Sequence, residues 1–71
     1  MVITLTINHH LAEDLRTLLQ FSTSLEIYEE KIGSQEVILA IRTRTEQEFE
    51  AVRQVFKKAG IVEFNLDNEA A

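Results

Sequence analysis

The stretch "LEIYEEKIGSQEVILAIRTR", residues 25–44, decides the fold. Two runs rich in β-branched and aromatic residues, 25–32 and 36–44, flank "GSQ", and apolar runs broken by a short glycine-bearing turn read as a β-hairpin. Gly33 is expected to supply the bend. A three-residue loop, 33–35, sets Glu26 opposite Arg42 and Tyr28 opposite Ala40. It also keeps Leu25 and Ile27 on the same side as Val37, Leu39 and Ile41, which a slip of one residue would reverse.

The flanking segments follow from periodicity. In "VITLTIN", residues 2–8, Ile3, Leu5 and Ile7 alternate with Val2, Thr4 and Thr6, so a strand with one buried face is expected. "LAEDLRTLLQFS", 11–22, spaces Leu11, Leu15, Leu18 and Leu19 along one helical face, with Glu13, Arg16 and Gln20 opposite. "TEQEFEAVRQVFKKAG", 45–60, is a second helix. Thr45 and Glu48 form a capping box, Phe49, Val52, Phe56 and Ala59 share one face, Lys57 and Lys58 fill the last turn, and Gly60 is the stop. "IVEFNLD", 61–67, alternates Val62, Phe64 and Leu66 with Glu63, Asn65 and Asp67 and reads as a fourth strand. One domain, 1–67, is expected, with a frayed tail at 68–71.

The order β-α-β-β-α-β is that of ferredoxin-like domains: an α+β two-layer sandwich whose four-stranded antiparallel sheet, order 4-1-3-2, carries both helices on one face. Ile3, Leu5, Ile7, Val37, Leu39, Ile41, Val62, Phe64 and Leu66 are then expected to point at the helices. Val2, Thr4, Tyr28, Ile38, Ala40 and Arg42 lie on the uncovered face, an apolar centre inside a polar rim, and are the candidate interface residues. The plain alternative is a solvated antiparallel face whose β-branched residues satisfy strand propensity.

Composition narrows the classes. With 71 residues and no cysteine, the chain has neither a disulfide framework nor a thiolate metal site, and a small core without staples favours association with a partner. Seven basic against twelve acidic side chains, net charge −5, oppose binding to nucleic acid or to an anionic membrane. No apolar run approaches the ~20 residues needed to span a bilayer. A cytoplasmic, acidic protein without a cofactor is expected.

"INHHLAED", residues 7–14, raises the question of a metal or proton-transfer site. Asn8 stands where an N-cap belongs, and Glu13 and Asp14 are expected to favour the positive end of the helix. His9 with Glu13 and His10 with Asp14 are i,i+4 pairs, able to share a metal ion or fix a tautomer. A catalytic zinc site needs three protein ligands, and the chain has no other histidine and no cysteine. His9 and His10 are therefore read as wet helix-start residues, and as metal candidates only with help from another carboxylate or a second subunit. Arg42 and Arg44, beside Thr45, can hold an anion with the helix amides; charge balance against nearby acids is the plainer reading.

"GSQEVILAIRTRTEQEFEAV", residues 33–52, resembles the middle of the amino-acid-sensing domains of Lrp/AsnC-type regulators, where a turn glycine precedes a central strand and then a helix opened by an acidic turn. Those domains carry Gly-x-Tyr-Asp; here Ser34, Gln35 and Glu36 follow Gly33, so their ligand binding does not carry over. ACT domains share the topology but use a glycine where this chain has "NHHL", and metallochaperones of the same topology need a Cys-x-x-Cys there. Nucleic-acid-binding relatives place exposed aromatics and basic residues on the middle strands, where Thr4, Thr6, Ile38 and Ala40 stand.

The expected function is a small non-catalytic interaction or regulatory module, self-associating or docking on a protein partner. A sensor with an amino-acid-like ligand held between subunits is the first alternative. A small dimeric enzyme of the α+β-barrel type, with Tyr28, Arg42, His9 and His10 as the groups to test, is the second.

Overall fold

A computed structural model describes residues 1–20 and 25–67. The elements run β1 (Val2–Asn8), α1 (His9–Leu18), β2 (Glu26–Lys31), β3 (Glu36–Arg42), α2 (Glu46–Lys58) and β4 (Asn65–Asp67). The four strands form one antiparallel sheet in the order β2-β3-β1-β4, the expected order read from the other edge. β1 and β3 are its centre and pair along their full lengths, Val2 with Arg42 through Asn8 with Glu36.

The hairpin has the expected register, Glu26 opposite Arg42 and Tyr28 opposite Ala40, with Ile27 beside Ile41 on the core side. The Ile32 amide donates to the Glu36 carbonyl at 3.1 Å, closing the three-residue loop. Gly33 does not need its freedom there. The only positive φ among the described residues is at Gly60, and a side chain at Gly33 would meet nothing within 4 Å.

The core is a single cluster to which both layers contribute. Ile3 and Leu5 from β1, and Val37, Leu39 and Ile41 from β3, meet Ala12, Leu15 and Leu19 of α1 and its cap, and Val52 and Phe56 of α2. The odd-numbered positions of the central strands are thus dry, except for a half-buried Ile7, and the even-numbered ones are not. The buried Thr43 extends the β1–β3 ladder by one step: its amide donates to the Met1 carbonyl at 2.9 Å, and the Met1 amine donates back to the Thr43 carbonyl at 3.1 Å.

The helix ends are well specified. Thr45 Oγ1 accepts from the Glu48 amide at 3.1 Å, and the Glu48 carboxylate accepts from the Arg44 amide at 2.7 Å, so the capping pair reaches one residue further back than a standard box. At the other end, Ile61 N–H donates to the Phe56 carbonyl at 2.9 Å and Gly60 N–H to that of Lys57 at 3.2 Å. This is a Schellman turn, with Gly60 at φ +77°.

Several expectations need correction. Helix α1 begins at His9, directly after the expected Asn8 cap, but its buried stripe is Ala12, Leu15 and Leu19; Leu18 is 52% exposed. Glu13 and Asp14 therefore lie beyond the first turn, which holds no acid. The expected end of that helix at 21–22 and the tail at 68–71 fall outside the described residues. β4 is three residues long instead of seven. Val62 precedes it and is 86% exposed, and Leu66, although paired with Ile3 on the helix side, is half exposed. Only Phe64 of that trio packs against the core, edge-on to Phe56 with ring centroids 5.2 Å apart.

Candidate interface on the open sheet

The pairing registers arrange the even-numbered residues of β1, β2 and β3 in rows across the sheet, with odd-numbered residues of β4 at their ends. One row is Glu26, Arg42, Val2 and Asp67; the next is Tyr28, Ala40, Thr4 and Asn65; the third is Glu30, Ile38 and Thr6. Val2, Thr4, Tyr28, Ile38, Ala40 and Arg42, which alternation had singled out, share one surface. Val2, Thr4, Ile38 and Ala40 are half-buried by their neighbours, and Tyr28 is 59% exposed. Ile32, one residue past β2 in the same even-numbered series, is also about half exposed.

One end of this face is held by charge. Glu26 accepts from Arg44 at 3.0 Å, from Arg42 at 3.5 Å and from the Tyr28 hydroxyl at 3.3 Å. The Arg44 guanidinium is the main cause of a Glu26 carboxyl held below the usual carboxylate range, with Tyr28 and Arg42 adding to it against the opposing pull of burial. Exposed pairs of this kind contribute little to stability, but they order the rim around Tyr28. They also occupy both arginines expected to hold an anion, and the Arg44 amide is taken by Glu48.

The histidines are not equivalent. Asn8 caps α1 as expected, its Oδ1 accepting from the His10 amide at 2.8 Å. The His9 amide donates to the Gln35 carbonyl at 2.8 Å, which draws the hairpin loop over the helix start. His9 is half-buried, and its Nδ1 is buried with no hydrogen-bond partner among the described residues, while His10 is exposed with its ring centroid 4.0 Å away. His9 lines a shallow cleft of about 270 Å³ with Glu13, Glu29 and Lys31. Glu29 is already paired to Arg16 at 3.3 Å. Among the described residues, no three or more His, Cys, Asp or Glu side chains are grouped so as to hold a metal ion.

No family model, curated protein or solved structure matches the chain. The likeness of residues 33–52 to amino-acid-sensing domains therefore rests on those residues alone. No helix among the described residues is long and apolar enough to cross a membrane.

Two further clefts lie elsewhere. One of about 420 Å³ opens at the start of α2, between Met1, Arg44, Glu46 and Phe49. Another, of about 470 Å³, lies between the end of α2 and residues 61–64. Sequence reasoning missed the latter because it required Val62 to be inside.

Proposed function

We propose that the chain is a small non-catalytic interaction module of ferredoxin-like topology, working in the cytoplasm, that pairs with a second copy of itself or with another protein through the even-numbered sheet face. The observation that supports this reading is the convergence of Val2, Ala40, Ile38 and Tyr28 on one face that no helix of the core cluster covers. Acids and arginines border the group, the anatomy of a contact surface with an apolar centre and a polar rim.

Size sets the strength of such a contact. Strands ~4.8 Å apart, rising ~3.3 Å per residue, make this face about 19 Å by 23 Å, or roughly 400 Å² per copy. That is about half the ~800 Å² per partner of a typical stable interface, so the contact is weak and reversible. Amino-acid sensing or dimeric-barrel catalysis would need the same face-to-face pairing to enclose a site.

Light scattering from about 10 µM to about 1 mM, a range that brackets weak contacts, is expected to show a reversible rise in mass. Ile38→Arg should abolish the rise and leave the far-UV circular dichroism unchanged. A dimer that persists in Ile38→Arg contradicts the reading. If the wild type stays monomeric, the reading stands only if a pulldown from the native organism captures a protein that Ile38→Arg does not.

A further inference from the structure

β1 carries β3 along all seven of its residues but β4 only along Val2–Thr4. The chain arriving from Gly60 stays outside the ladder until Asn65, leaving Val62 86% exposed. Residues Ile61, Val62 and Phe64, together with Phe56, form the apolar part of the cleft of about 470 Å³, and Arg53 and Lys57 form its cationic part.

The charge here runs against the rest of the molecule. The chain is −5 overall, yet Arg53, Lys57 and Lys58 place three of its seven basic side chains within six residues. Arg53 is engaged, its Nη1 2.8 Å from Glu50 and its guanidinium over the Phe49 ring at 5.8 Å. Lys57 and Lys58 have no ion-pair partner among the described residues and are exposed, and of the two only Lys57 lines the cleft. Glu63, between Val62 and Phe64, is not part of the lining.

We propose that this cleft is a second interaction site, distinct from the open sheet face, which takes an extended segment of a partner protein bearing an apolar side chain flanked by carboxylates. The apolar side chain covers Val62 and Phe64, which the short β4 leaves outside the ladder. The carboxylates meet Lys57, which lines the cleft. An uncharged apolar segment would leave Lys57 unused, and a basic one would be repelled, so complementarity selects an acidic partner.

The test uses the full chain, labelled with ¹⁵N, and a synthetic ten-residue peptide in which Val-Phe is flanked by Asp and Glu; the control carries Asn and Gln in their place. The acidic probe is expected to shift the amides of Phe56, Lys57, Val62 and Phe64. Its affinity should fall at least tenfold in Lys57→Glu and in Val62→Asp, both exposed positions where the native spectrum should survive. Ile38→Arg should bind it normally. No shift at these amides with millimolar probe, equal binding of the neutral control, or undiminished binding by Lys57→Glu would overturn the proposal.

Discussion

Leu39→Asp is expected to leave the chain unfolded, whereas Ile38→Arg, one residue earlier on the same strand, should keep a native spectrum. Leu39 is fully buried at the centre of β3, between β1 and β2, in the core cluster to which both helices contribute. Removing it forfeits about 1.5–3 kcal/mol of apolar burial. The carboxylate put in its place has no partner, and an unpaired buried ion costs several kcal/mol more. A 71-residue domain has only about 4–10 kcal/mol to lose. Ile38 faces the other way, so arginine there keeps its charge in water. Circular dichroism with thermal melting separates the two. Cooperative melting of Leu39→Asp, or loss of structure in Ile38→Arg, would show that the faces are assigned the wrong way round.

Phe56→Ala should be nearly as damaging. The ring is 1% exposed, meets Phe64 edge to face and is the largest fully buried side chain among the described residues. Its truncation removes apolar burial and leaves a cavity, together about 3–5 kcal/mol. At about 4–8 °C per kcal/mol for a domain of this size, the midpoint should fall by about 12 °C or more. Calorimetry reads this directly. Phe64→Ala, at a half-buried ring, should cost clearly less. Equal losses at the two positions would mean that α2 is not docked through Phe56.

The parts legible in the sequence are those where one local rule decides. Strand alternation specifies Ile3, Leu5, Leu39 and Ile41 as inward and Thr4, Ile38 and Ala40 as outward, because strand side chains have a period of two and only one face of this sheet is dry. Thr45 and Gly60 mark α2 because a cap and a stop are local hydrogen-bond problems with few solutions.

The misses required knowledge of the second layer. Alternation through Val62 and Phe64 promised a seven-residue strand. The chain leaves α2 at Gly60, however, and must return to a sheet lying ~10 Å away, which uses about three or four residues at ~3.3 Å each before a ladder can begin. Leucine was preferred over alanine in reading α1, yet Ala12 is the buried residue and Leu18 is not, because a small side chain suits a helix lying close on the sheet. A helical wheel puts His9 in water, whereas the hairpin loop, tied to its amide through the Gln35 carbonyl, leaves it half-buried. The open-face cluster was readable because parity alone gathers it. The cleft beside Lys57 was not, since it exists only where β4 stops short.

The account rests most heavily on a sheet with one face under helices and one face bare, and nuclear Overhauser contacts in the labelled wild-type chain test this directly. The predicted contacts join Thr4 to both Ala40 and Asn65, and Leu39 to Leu15 or Phe56, with none from either helix to Ile38 or Ala40. Helix contacts to Ile38 or Ala40, or a β1 that lacks contacts to β3, would contradict it.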